Sequence, residues 1–256
     1  MFVNDRNTGN FFRLPPATKN LLIVNIGLWL LCSVMPSFGD TIYDYLGLHY
    51  WGSGSFNPLQ FVTYMFLQAP LGSGTGIGHI FFNMFALYMF GRILEATWGT
   101  RRFLIFYLAC GLGAAFVQEA VWSLSFNEAM VSSLSEANGM SGAMIQDILA
   151  RDPAHARELA SQYADMLLTI GASGAIFGLL LGFGCVFPNV PMYLFFIPIP
   201  IKAKYLVAGY AVLEFVFGIT GTASMVAHFA HLGGMLFAIP FLIYWHKKHI
   251  LHGRRY

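Results

Sequence analysis

Ser173 and His231 are the residues whose types and surroundings point most directly to chemistry. Ser173 lies in Gly171-Ala172-Ser173-Gly174-Ala175-Ile176-Phe177-Gly178, and His231 in His228-Phe229-Ala230-His231-Leu232-Gly233-Gly234, both within apolar runs. A serine hydroxyl is a weak nucleophile until a base within hydrogen-bond reach takes its proton. Histidine suits that task because its unperturbed pKa lies near ~6.5. Attack on a carbonyl also needs fixed donors where negative charge develops. His79 and Asn83, in Gly78-His79-Ile80-Phe81-Phe82-Asn83, are four residues apart, so they share a helix face, and both can donate hydrogen bonds. Polar groups at membrane depth are costly and mark functional sites. The pattern points to nucleophilic attack on a carbonyl at membrane depth.

The elements that must position these groups are membrane helices. The chain has 256 residues, of which 57% are apolar and only 10% charged, against about 25% charged in soluble domains. Several apolar runs approach the ~20 residues a helix needs to cross a bilayer. Six spans are expected, at 20–36, 79–98, 102–123, 166–187, 203–220 and 224–246, in an all-α polytopic bundle. Arg6, Arg13 and Lys19 precede the first span, and Arg101 and Arg102 fill the turn after the second. Lys202 and Lys204 lie between the fourth and fifth, and Lys247, Lys248, Arg254 and Arg255 follow the last. The other connections, 37–78, 124–165 and 221–223, hold only Arg151 and Arg157. Cytoplasmic loops are enriched in Lys and Arg, so both termini are expected inside. The division is a cytoplasmic tail over 1–17, a six-helix domain over 18–246 and a basic cytoplasmic tail over 247–256. The six-helix domain includes an extended acidic outside loop over 124–165. Met1–Asn20 is mostly polar and does not read as a cleavable signal peptide. Cys32, Cys110 and Cys185 lie in apolar runs and read as packing residues, not as a disulfide framework or metal site. Gly174, Gly178 and Gly182 recur every four residues, and Gly233 and Gly234 follow His231. Such spacing lets membrane helices approach closely.

Gly171-Ala172-Ser173-Gly174, His79-xxx-Asn83 and Ala230-His231-Leu232-Gly233-Gly234 strongly resemble the rhomboid family of intramembrane serine proteases. The run Phe90-Gly91-Arg92-Ile93-Leu94-Glu95-Ala96-Thr97-Trp98-Gly99-Thr100-Arg101-Arg102-Phe103 is similar to that family's turn between the second and third spans. The resemblance covers roughly residues 18 to 246 in the family's motif order. It implies that Ser173 is the nucleophile and that His231 is the general base, then the acid for the leaving amine. It implies an oxyanion hole of Asn83, His79 and the backbone N–H of Ser173, and a dyad without a third acidic member. No Asp or Glu in the sequence reads as well placed for that role. Phe177, one turn after Ser173, matches a position where the family often stacks an aromatic ring on the catalytic histidine. Gly171, Gly174 and His228 are expected to line the site, with His228 at its mouth. Transmembrane proteins with easily unwound helices and a small residue at the cut are the implied substrates, and the site is expected to open to the outer face. Some members carry a Trp-Arg pair in the first outside loop, where this chain has Leu59-Gln60.

Other features compete for attention. Gly139-Met140-Ser141-Gly142 repeats the Gly-x-Ser-Gly pattern, but in a polar loop with no span to bury it. Glu95 is expected to pair with Arg92, Arg101 or Arg102. Glu214, mid-span in the fifth helix, reads as a protonated carboxyl bonded to a neighbouring helix, and less as the proton relay of a transporter. A small transporter is therefore the weaker alternative, and a silent membrane-protein-binding relative the stronger. Retention of both Ser173 and His231 argues against silence. The chemistry requires no cofactor or metal. The bilayer and transmembrane proteins are the expected partners, nucleic acid is not, and oligomeric state is left open. The compact form points to a bacterial inner membrane.

Overall fold

The computed structural model describes residues 14–74, 76–194, 197–220 and 225–252. Arg6, Arg13, Arg254, Arg255 and the 221–223 connection lie outside the described residues. In chain order the elements begin with α1 (Pro16–Val34), α2 (Pro36–Leu46), β1 (Leu48–His49), α3 (Gln60–Thr63) and a 3-10 turn over Tyr64–Phe66. Then come α4 (Gly76–Ala86), a π turn over Leu87–Gly91 and α5 (Arg92–Trp98), which together form one apolar rod over Gly76–Trp98. Next are α6 (Thr100–Asn138), α7 (Gly142–Arg151), α8 (Pro153–Met166) and β2 (Leu168–Thr169). The chain ends with α9 (Ser173–Val186), β3 (Pro191–Leu194), β4 (Ile197–Lys202), α10 (Ala203–Thr220) and α11 (Met225–Lys247).

Among the described residues, five helices are long and apolar enough to cross a membrane: α1, the α4–α5 rod, α6, α10 and α11. The expected fourth span appears as α9, an apolar helix whose 14 residues extend only about 21 Å at 1.5 Å per residue. It is the most enclosed helix of the bundle, packed between α6 and α11. Phe103, Phe106 and Tyr107 of α6 are fully buried at the centre. Trp98, Phe106 and Trp245 form an aromatic cluster toward one end, where the Trp98 indole donates to the Leu251 carbonyl at 2.8 Å.

Two features differ from the sequence expectation. The third span does not stop near residue 123: α6 runs unbroken for 39 residues, about 58 Å, into the segment read as a loop. Gly139, at φ +63°, ends it, and α7 and α8 fold back. Asp152 caps α8 by accepting from the Ala154 and His155 N–H groups, with Pro153 in the first turn. Glu95 does not serve the neighbouring arginines. Its carboxylate accepts from the N–H groups of Ala17 (3.0 Å) and Thr18 (2.7 Å) and from the hydroxyls of Thr18 and Thr100 (2.8 Å each). It thereby satisfies two amides left open at the start of α1, which has no side-chain cap of its own. The Pro-rich run before α10 pairs as the antiparallel β3–β4 hairpin.

Leu59-Gln60 anchors the segment between α2 and the α4–α5 rod. Buried Gln60 accepts from the His49 and Asn57 N–H groups and donates to the carbonyls of Tyr45 and Ser55. This segment also pairs with the chain ahead of α9: β1 and β2 match Leu48 with Thr169, and the Tyr50 N–H reaches the Leu167 carbonyl.

Candidate functional site

The sequence expectation places Ser173 about seven residues inside a helix; the structure makes it the first residue of α9. Residues 167–172 are not helical because they are held by β1–β2 pairing and by the Gly171 N–H donating to the Tyr64 carbonyl (3.0 Å). Burial pushes the Tyr64 phenol upward and keeps it a donor, and its hydroxyl is bonded to the Gly111 carbonyl of α6 at 2.8 Å. Gly171 adopts φ +132°, which side-chain-bearing residues rarely take. A methyl there would sit 3.1 Å from the His79 ring and 3.6 Å from the Ser173 hydroxyl. As the first helical residue, Ser173 contributes an N–H with no partner inside its own helix. The helix dipole adds partial positive charge at that end.

The Ser173 Oγ lies 2.9 Å from His231 Nε2, joining α9 to α11. Two close approaches allow this. Gly174 lies where a methyl would collide with Ala114 of α6, and Gly234 where a methyl would collide with the Gly174 backbone. Phe177 stacks on the His231 ring with centroids 4.2 Å apart and planes within 6°.

His79 and Asn83 approach from α4 and line the same cavity as Ser173, Gly174, Phe177 and His231, of about 520 Å³. His79 Nδ1 accepts the Ala69 N–H at 3.2 Å, so a neutral ring carries its hydrogen on Nε2, the nitrogen nearest Asn83 and Gly171. Asn83 donates one amide hydrogen to Gln68 Oε1 (2.8 Å), and Gln68 in turn donates to Asn25 Oδ1 (2.8 Å). This buried chain orients the Asn83 amide and leaves its second N–H for the cavity. The cavity therefore holds a hydroxyl paired to an imidazole and three kinds of N–H donor. Such a set is suited to attack on a carbonyl and to stabilising the resulting oxyanion. Gln68 and Asn25 were not legible as site support, because they come from a loop and from α1 with no motif between them.

The main difference concerns Glu214. The sequence sets it apart from the site and finds no acidic residue placed beside the histidine. In the structure its Oε2 accepts from His231 Nδ1 at 3.0 Å and from His228 Nδ1 at 2.6 Å. The carboxyl is bonded to a neighbouring helix as expected, but that helix carries His231, and two ring N–H groups on one oxygen fit a carboxylate and not the protonated form expected. His228 turns to this carboxylate and is not part of the cavity wall. The ligand atoms of Glu214, His228 and His231 lie within 4.8 Å of one another, a donor set of the type zinc accepts. The two hydrogen bonds already account for the cluster. Ser141 lies elsewhere, exposed, as the cap of α7, accepting the Met144 N–H.

Comparison with known proteins gives the chain a family. The family model of the Rhomboid domain matches residues 55–248. A mitochondrial RHOMBOID-like protein 12 of Arabidopsis thaliana is 30% identical over 159 residues, covering 62% of this chain and 39% of that protein. YdcA of Bacillus subtilis (strain 168), named as a candidate rhomboid protease, is 28% identical over 120 residues, covering 44% of this chain and 53% of that protein. The matches thus span between two fifths and about half of these relatives.

Proposed function

The chain belongs to the rhomboid family of multi-pass membrane proteins, and from that premise we propose that it is an intramembrane serine endopeptidase acting through Ser173 and His231. The observation that carries the reading is the 2.9 Å contact between Ser173 Oγ and His231 Nε2, in a cavity shared with His79 and Asn83.

In the proposed reaction the Ser173 oxygen bonds to the scissile carbonyl carbon while its proton passes to His231 Nε2. The carbonyl electron pair moves onto oxygen, where Asn83, His79 and the Ser173 N–H donate to it. The carbon–nitrogen bond then breaks as His231 returns the proton to the leaving amine. Water, deprotonated by the same imidazole, releases the acyl group. Preorganised donors of this kind each contribute roughly 10²- to 10³-fold in rate. An apolar groove of about 310 Å³, which shares Asn83 and Phe177 with the cavity, is suited to a hydrophobic substrate segment.

The natural substrates are proposed to be transmembrane proteins whose helices unwind readily, since a helical amide is shielded by its own hydrogen bonds. The distribution of Lys and Arg supports both termini inside, six crossings with α9 as the short one, and a site facing outward. A bacterial inner membrane is the proposed location.

The test is cleavage of single-span reporter proteins in liposomes by wild type, Ser173→Ala and Ser141→Ala. Wild type and Ser141→Ala are expected to cut and Ser173→Ala to be inert. Equal cutting by Ser173→Ala refutes the assigned nucleophile. If no reporter is cut, fluorophosphonate labelling of Ser173 separates an active enzyme without its substrate from a silent binding protein.

A further inference from the structure

We propose that Glu214 is a positioning residue for His231, so that this chain carries a Ser173–His231–Glu214 triad; the proposal rests on the protease reading above. The groups form one connected chain across three helices: Ser173 Oγ to His231 Nε2 at 2.9 Å, and His231 Nδ1 to Glu214 Oε2 at 3.0 Å.

A neutral imidazole has one donor nitrogen and one acceptor nitrogen. The carboxylate oxygen can only accept, so it selects the ring form with hydrogen on Nδ1. That leaves the Nε2 lone pair facing the Ser173 hydroxyl. The other form would present N–H to Ser173 and could not take its proton. Phe177 holds the ring plane by stacking at 4.2 Å, but a half-turn of the ring preserves that stacking. Glu214 opposes the half-turn, which would set a carbon against the carboxylate in place of Nδ1. When the proton reaches Nε2, the resulting imidazolium lies beside the carboxylate, away from bulk water, where attraction between charges is strengthened. Glu214 itself accepts no proton and bonds to no substrate atom.

The carboxylate is itself held in place. His228, one turn before His231 on α11, donates to the same Oε2 at 2.6 Å. A tie between α10 and α11 needs only that bond. The second bond falls on the ring whose other nitrogen touches Ser173. The three side chains are nearly enclosed, at 13% exposure for Glu214 and His228 and 18% for His231.

The experiment compares full-length wild type, Ser173→Ala, Glu214→Gln and Glu214→Asp in liposomes. It measures reporter kcat and KM, the rate of fluorophosphonate labelling at Ser173, and thermal unfolding. Glu214→Gln keeps the size of the side chain and removes its charge. It is expected to lower kcat by about 10²- to 10⁴-fold, with KM within about twofold and labelling slowed in parallel. Glu214→Asp, shorter but still a carboxylate, is expected to recover at least about tenfold over the amide. Glu214→Gln at wild-type kcat, with Ser173→Ala inert, overturns this proposal and leaves the protease reading standing. A fall in Glu214→Gln that tracks a lowered melting temperature, with no recovery in Glu214→Asp, also overturns it by making the carboxylate a structural tie only. A wild type inert to both reporter and fluorophosphonate overturns the protease reading and this proposal together.

Discussion

The distance between Ser173 and His231 is set by a contact containing no side chain, and Gly234→Ala tests this. Gly234 of α11 faces the backbone of Gly174, the residue after Ser173. An added methyl would overlap the Gly174 carbonyl oxygen and lie 2.7 Å from its carbonyl carbon, whereas unstrained carbon pairs need about 3.5 Å. The colliding atoms are backbone and cannot rotate away, so α9 and α11 must separate by about 0.8 Å or more. The Ser173–His231 contact, now 2.9 Å, lies beside this point. Opened by the same amount, it passes the ~3.2 Å limit of a useful hydrogen bond. A misplacement of about 1 Å lowers turnover by roughly 10²-fold, and overpacking of this kind destabilises by about 1–3 kcal/mol. Reporter cleavage in liposomes and fluorophosphonate labelling of Ser173 should both fall about 10²-fold, with a lowered melting temperature. Gly27→Ala is the control, because a methyl at that position meets nothing within 4 Å, and it should cleave as wild type does. Wild-type turnover in Gly234→Ala would refute the claim that this contact sets the active geometry.

Asn83→Ala should lower kcat by about 10²- to 10³-fold with little change in KM, because its N–H is used only as the oxyanion forms; steady-state reporter kinetics separate the two terms. Phe177→Leu keeps an apolar side chain but removes the stacked ring, worth about 0.5–1.5 kcal/mol, so kcat should fall roughly two- to tenfold without loss of the Ser173 label. Glu95→Ala removes the acceptor for two backbone amides at the start of α1; denaturation should report a loss of about 2–4 kcal/mol, while the activity per folded molecule is retained.

Much of this arrangement can be traced to local pattern. The pairing of Ser173 with His231 is legible because each lies in a short run dense in glycine, and glycine-rich faces bring helices together. His79 and Asn83 are legible because a four-residue spacing places them on one helix face. Glu214 is not legible in the same way. It lies 14 and 17 residues before the histidines it bonds, on another helix, with nothing near it in sequence to mark its direction. A signal was present in a mid-span carboxylate preceding a helix with two histidines one turn apart. Glu95 misleads for the opposite reason. Arginines surround it in sequence, yet its partners are backbone amides some 77 residues away, and backbone donors leave no trace in composition. The start of α9 is displaced because residues 167–172 read as helix, while pairing of Leu168 and Thr169 with β1 holds this stretch out of it.

The unbroken length of α6 has a mechanical consequence. A hydrocarbon core is about 30 Å thick, so a helix of about 58 Å projects well beyond it. Near residue 111 its wall meets Tyr64, and near residue 114 it meets α9. Beyond the core, Phe126 stacks on Tyr50 and meets Tyr163 of α8, while Ser53 donates to Asp165. The acidic segment over 124–165 is therefore a stiff extension, fastened to the helix that buttresses Ser173. Displacing α8 therefore means breaking those contacts or moving α6 with it.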